Sequence, residues 1–121
     1  MKIKSFRDLR VWQLAMEVVE LVYRLTRSFP RSEVYGLASR IQRAAVSVPS
    51  NIADTREHTK EYLEHLSIAQ ASLAELETQL EIATRLKYAS TQDSLPIAER
   101  VGSLGRQLYA LRNALLKTSR G

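Results

Sequence analysis

Val11, Ala15, Val18, Val22, Leu25 and Phe29 recur at alternating intervals of four and three residues, and three later stretches repeat the pattern. Such spacing gathers apolar side chains on one face of a helix with 3.6 residues per turn, and each stretch is too long for a strand. The later stripes are Val34, Ala38, Ile41, Ala45, Val48 and Ile52; then Leu66, Ala69, Leu73, Leu76, Leu80 and Ala83; then Ile97, Val101, Leu104, Leu108, Leu111 and Leu115. Turn-forming residues interrupt the chain at Phe29 to Ser32, at Asp54 to Thr59, and at Ala89 to Ser94 ahead of Pro96. The expected helices cover about 7–29, 33–56, 59–88 and 95–119 of a single domain, residues 1–121. Short connections make successive helices antiparallel, so the predicted fold is all-α, an up-down-up-down antiparallel four-helix bundle. Pro49 lies inside the second helix and predicts a kink or break after Val48, because proline removes a backbone donor and crowds the preceding turn.

The first helix carries more apolar surface than a small bundle needs. Leu9, Trp12, Met16, Val19 and Tyr23 form a second stripe beside the first, widened further by Leu14 and Leu21. About three apolar positions in seven suffice for an outer helix, whereas this one uses about five. The excess places Trp12, Met16 and Val19 either at a subunit interface or in an unusually central core.

Composition narrows the function classes. No stretch approaches the roughly 18 uninterrupted apolar residues of a membrane span, and no hydrophobic segment follows the positive charges of residues 1–8, so a cytoplasmic protein is expected. The absence of cysteine excludes disulfides, zinc ribbons and thiol chemistry. Phosphate-binding glycine loops, nucleophile elbows and His-Glu-x-x-His pairs are missing, which removes the common enzyme classes. His58, Glu61 and His65 share one face and outline a surface metal clip, for which two solvated histidines are the plainer explanation. No metal or cofactor is therefore expected. Glu75 and Glu77 point apart at their i, i+2 spacing and are expected to partner arginines of the second helix rather than to form an acid–base pair.

Eighteen Lys and Arg oppose thirteen Asp and Glu, a net charge of +5. Residues 1–56 carry +5, residues 57–91 carry −3, and residues 92–121 carry +3. Thirteen of the cations are arginine, whose planar fork binds phosphate or carboxylate in two places at once. Arg10, Arg24, Arg27, Arg31, Arg40 and Arg43 form a row able to meet phosphates without reading bases, with a solvated or salt-bridged face as the alternative. No aromatic stacking platform on strands and no recognition-helix pair points to base-specific reading.

Phe6 to Ala15, then Phe29-Pro30-Arg31-Ser32-Glu33-Val34-Tyr35-Gly36-Leu37, then Arg43 to Ala53 and Ser72 to Leu80, form a combination of motifs. Together they resemble the bacterial four-helix-bundle family named for proteins encoded in intervening sequences of 23S ribosomal RNA genes. The resemblance covers about residues 6–88 and implies a bundle that assembles as a homopentamer, a ring with a central channel. A related branch is similar to accessory proteins of diversity-generating retroelements, basic pentamers that bind nucleic acid and a partner enzyme, a reverse transcriptase. No family active site comes with the resemblance. Two departures from the family pattern matter. Asp54-Thr55 replaces Glu-Gly, which predicts that the second helix runs on, and Ala71 replaces glycine, which predicts a slightly shifted helix crossing.

The sequence thus predicts a non-enzymatic oligomer that binds RNA or DNA nonspecifically through arginine contacts to phosphates. Arg24, Arg27, Arg31, Arg40 and Arg43 are the candidate contacts, and Trp12, Met16 and Val19 the candidate interface. The alternative is a structural or adaptor protein that binds another protein, with Arg24, Arg27, Arg40 and Arg43 in intersubunit salt bridges.

Overall fold

The computed structural model describes residues 5–54 and 59–120. A 3-10 turn, Phe6–Asp8, precedes α1 (Arg10–Thr26), a second, Arg31–Glu33, precedes α2 (Leu37–Ile52), and α3 (Thr59–Arg85) and α4 (Thr91–Arg120) complete the chain. Among the described residues there is no strand, and no helix is long and apolar enough to cross a membrane. The four helices form a bundle in which α1 packs beside α2 and α4, and α3 packs beside the same two.

The apolar stripes read from the sequence meet along one seam. Val18 and Val22 of α1, Ile41, Val48 and Ile52 of α2, Leu66 and Leu76 of α3, and Ile97, Leu104 and Leu108 of α4 lose essentially all contact with solvent. Burying a side chain of this size stabilises the fold by about 1.5–3 kcal/mol, which is what holds helices of such modest propensity together. Val34 departs from its stripe and is 51% exposed, because it lies in the connection ahead of α2 rather than in the helix.

Polar bonds set the register between neighbours. Tyr62 donates to the Ile52 carbonyl at 3.0 Å, His65 Nδ1 lies 2.9 Å from Asn51 Oδ1, and Ser47 and Ser72 hydroxyls are 2.8 Å apart. Residues earlier in α2 thus meet residues later in α3, so these helices run antiparallel. Gln42 donates to the Thr26 hydroxyl, and Ser94 meets Thr84, giving the same sense to α1 with α2 and α3 with α4.

Helix ends differ from the sequence expectation for local reasons. The Ser5 hydroxyl accepts from the Arg7 N–H and closes the short 3-10 turn, and Leu9 is extended, so α1 begins at Arg10. Helix α2 continues through Pro49 without a break. It stops at Ile52, since Tyr62 occupies the Ile52 carbonyl and the Asn51 side chain turns back to the Ser47 carbonyl. The expected run-on does not occur within the described residues; Thr55 lies outside them. The start of α4 lies earlier than expected, at Thr91, because Ser90 accepts from the Asp93 N–H and caps the helix ahead of Pro96. Ala71 is exposed, so its extra methyl faces no neighbouring helix of the chain.

Helix α3 ends in a left-handed residue. Lys87 has φ 64°, with Lys87 N–H donating to Thr84 and Tyr88 N–H reaching back to Ala83. This pattern of bonds is the one that usually recruits glycine. A side chain in that conformation costs about 1–2 kcal/mol, so Lys87→Gly is expected to stabilise the protein by about 1 kcal/mol, read as a raised urea midpoint. A second expectation concerns Tyr62. Burial, with the Asp54 charge adding to it, pushes its hydroxyl up from 10.0 to about 12. The folded state therefore keeps a proton that the unfolded chain gives up, and this stabilisation is complete below pH 10 and lost as pH rises towards about 12. Tyr62→Phe should cost about 1 kcal/mol at neutral pH and flatten the stability decline over that alkaline interval, as measured by urea unfolding at stepped pH.

Candidate nucleic-acid interface

One carboxylate organises the connection between α1 and α2. Glu33 Oε1 accepts from the Leu37 N–H at 3.0 Å and Oε2 accepts from the Tyr88 hydroxyl at 2.9 Å. The first bond satisfies an N–H that helix α2 leaves unpaired at its start, and the second ties this connection to the one between α3 and α4. Gly36 makes the geometry feasible, because a Cβ there would stand 2.6 Å from Glu33 Oε1. Phe29, 8% exposed, packs against the Tyr88 ring with centroids 5.7 Å apart. The Leu37 N–H, then the Tyr88 hydroxyl, hold the Glu33 carboxyl below its ordinary value, with Arg40 adding to the effect and burial opposing it. The same bond pushes the Tyr88 hydroxyl up.

The five candidate arginines are distributed around this tied connection. Arg24 lies in the last turn of α1, Arg27 at its cap, Arg31 in the 3-10 turn, and Arg40 and Arg43 in the first two turns of α2. The bond between Gln42 and Thr26 joins the end of α1 to the start of α2, so all five occupy one end of the bundle. Every one of them is exposed. Among the described residues none forms an ion pair within 4.0 Å, whereas Arg85 pairs with Glu81 and Arg100 with Glu17. Arg10 belongs to the opposite end, where α1 begins.

The expected partnership of Glu75 and Glu77 with second-helix arginines is not formed. Glu75 Oε1 accepts from Gln79 one turn along its own helix, and Glu77 lines the groove between α3 and α4. The flank of α3 that meets α2 presents His65 and Ser72 to it, and among the described residues neither carboxylate forms an ion pair with Arg40 or Arg43.

Trp12, Met16 and Val19 are half-buried and stand outside the central seam, which rules out the core placement within one chain. With Phe6, Val46, Pro49, Ser50 and Ala53 they line an open, mainly apolar groove of about 410 Å³ between α1 and α2. The Phe6 and Trp12 rings meet edge to face at 5.2 Å. A second groove, about 480 Å³, runs between α3 and α4, where Gly102 and Gly105 leave space beside Leu73, Val101 and Tyr109. The order of the helices around the bundle puts these two grooves on opposite faces.

His65 has a different setting from the one its metal-clip pattern outlined. Its Nε2 lies 3.0 Å from Asp54 Oδ2 and its Nδ1 faces Asn51, so both ring nitrogens fasten α3 to the end of α2. His58 lies outside the described residues, and no group of three or more metal-ligating side chains occurs among the described ones. The polar chain from Asp54 through His65, Asn51 and Ser47 to Ser72 escaped the sequence reading, although Ser47 and Asn51 at i, i+4 carry half of its signal. The Glu33–Tyr88 bond, across 55 residues, left no such signal.

A family model described as 23S rRNA-intervening sequence protein matches residues 7–110. No curated protein matches the chain. The matched span takes in α1, the tied connection with its arginines, α2, α3 and most of α4. With four packed helices and a match over most of its length, the chain belongs to the 23S rRNA-intervening sequence protein family.

Proposed function

We propose that this chain is a non-enzymatic, cytoplasmic, oligomeric helical-bundle protein that binds RNA or DNA through arginine contacts to phosphates, without reading base sequence, alone or beside a partner enzyme. The observation that carries the reading is the set of five exposed arginines, free of intrachain ion pairs among the described residues, at one end of the bundle. The connection's own carboxylate, Glu33, bonds to Leu37 and Tyr88 and, although it feels the Arg40 charge, forms no ion pair within 4.0 Å with any of the five. Arginines left in water at such density attract a polyanion, and they contact its backbone rather than its base edges.

Self-association is the second half of the proposal. The apolar groove around Trp12 and Met16 gives each copy a surface that favours burial, and the homopentameric ring implied by the family resemblance would cover it. The competing adaptor reading draws on the exposed carboxylates Glu64, Glu75, Glu77 and Glu81 of α3, which could take the arginines of a neighbouring copy.

Two measurements test these statements. In gel-shift titrations with mixed-sequence RNA and DNA, affinity should fall steeply between about 50 and 200 mM salt and be indifferent to base sequence. Arg40→Ala should lower the slope of log affinity against log salt for duplex DNA by about 0.9 for each copy in contact. Absence of any shift at about 50 mM salt would support the adaptor instead. For assembly, the double variant Trp12→Glu, Met16→Glu should fall to the 13.7 kDa monomer mass in light scattering. A folded variant with the wild-type mass would reject the groove as the interface.

A further inference from the structure

Tyr35 is 96% exposed, the most open of the large apolar and aromatic side chains among the described residues, and it stands at the arginine-rich end of the bundle. An exposed aromatic ring offers a large, rigid face against which another flat group can pack. The segment that carries it is fastened on both sides. Glu33 N–H donates to Pro30, Val34 N–H to Arg31, Gly36 N–H to Glu33, and Arg40 N–H to the Gly36 carbonyl. The Glu33 carboxylate then clamps Leu37 and Tyr88 around it. The ring therefore projects from a fixed stem, which reduces the ordering cost of binding something flat against it.

Its surroundings in the chain select the occupant. Arg31 lies four residues before Tyr35, and Arg40 follows in the first turn of α2; both are exposed. Glu33, the acidic residue nearest in sequence, is turned away to its two hydrogen bonds. An open aromatic face with exposed arginines near it in the chain, free of ion pairs among the described residues, matches the chemistry of an unpaired nucleotide, whose base stacks while its phosphates pair with guanidinium groups.

We infer that Tyr35 is a stacking platform for an unpaired base, which makes single-stranded nucleic acid, or an unpaired segment of a folded RNA, the preferred ligand of the arginine end. This inference rests on the phosphate-binding reading and adds to it a discrimination between single strands and duplexes. Arginines alone give none in favour of the single strand, because a duplex presents the denser array of charge.

The test compares an oligouridine of about 20 nucleotides, longer than typical single-strand sites, with a DNA duplex of similar length, each titrated at several salt concentrations. Tyr35→Ala should weaken oligouridine binding at least about fivefold, leave its salt slope unchanged, and leave duplex binding unaltered. Arg31→Ala should instead lower the slope by about 0.7 for each copy in contact with the single strand. Tyr35→Phe and Tyr35→Trp should bind like the wild type, and emission from the new indole, taken against the Trp12 background of the wild type, should be quenched by oligouridine. Tyr35→Leu keeps an apolar side chain without a π-face and should behave like Tyr35→Ala. Equal binding by Tyr35→Ala and wild type, with Arg31→Ala weakened, overturns the stacking role and leaves the phosphate reading intact. Failure of the wild type to bind either probe overturns both. A fall in assembly mass for Tyr35→Ala, with strand binding per copy unchanged, assigns the ring to a contact between subunits and likewise overturns the inference.

Discussion

Four amphipathic helices share one dry seam, and the remaining features of this protein follow from what that seam cannot accommodate. Ile41, Ile52, Leu66, Leu76, Ile97, Leu104 and Leu108 fill it completely. Small residues, Ala15, Ala45, Ala69 and Ala83, are buried between them and let the helices approach. Because the seam is satisfied, the second apolar stripe of α1 is displaced to the flank that faces α2. There it is half-covered by Val46 and Pro49 and opens into a groove. The apolar excess of α1 thus packs partly against the core and partly lines an open groove, the surface that the proposed association would cover.

At the arginine end a different constraint operates. Helix α2 begins without a side-chain oxygen at its own cap position, since that position is Gly36. Glu33 supplies the missing acceptor from three residues earlier, and only a residue without a Cβ at position 36 leaves room for its carboxylate. The Tyr88 hydroxyl takes the second oxygen and is delivered there by the left-handed Lys87 at the end of α3. Three unrelated stretches of sequence therefore collaborate to fix one carboxylate in place within the connection. Arg24 and Arg27 sit favourably at the negative end of the α1 dipole, but Arg40 gains no such help at the start of α2.

Periodicity made the helices and their buried faces legible. The stripes of α1, α3 and α4 were readable almost residue by residue, because a 3.6-residue repeat over 17 to 30 residues has no competing explanation. Helix ends were less legible, since they depend on particular bonds: Tyr62 to Ile52 stops α2, and the Ser90 hydroxyl starts α4 ahead of Pro96. At the candidate site the arginines could be named from sequence but their environment could not. Glu75 looked available to α2 on charge alone, whereas its carboxylate accepts from Gln79 one turn along its own helix. The exposure of Tyr35 was equally hidden, because an aromatic beside an apolar stripe ordinarily reads as core.

The groove and the arginine end are energetically connected under the proposed function. Five guanidinium groups within 20 residues, free of ion pairs among the described residues, repel one another, and salt screens that repulsion over roughly 8 Å. Bringing several copies together brings several such ends together, so burial of the Trp12 groove must work against a charge repulsion that grows with each added copy. A polyanion laid across neighbouring ends removes that repulsion, and it binds the assembly more tightly than it binds one copy. Linkage then requires the converse: whatever tightens the assembly raises affinity for the strand by the same factor. In that arrangement the apolar stripe of α1 and the arginines of the connection, though they lie at different levels of the bundle, serve a single equilibrium.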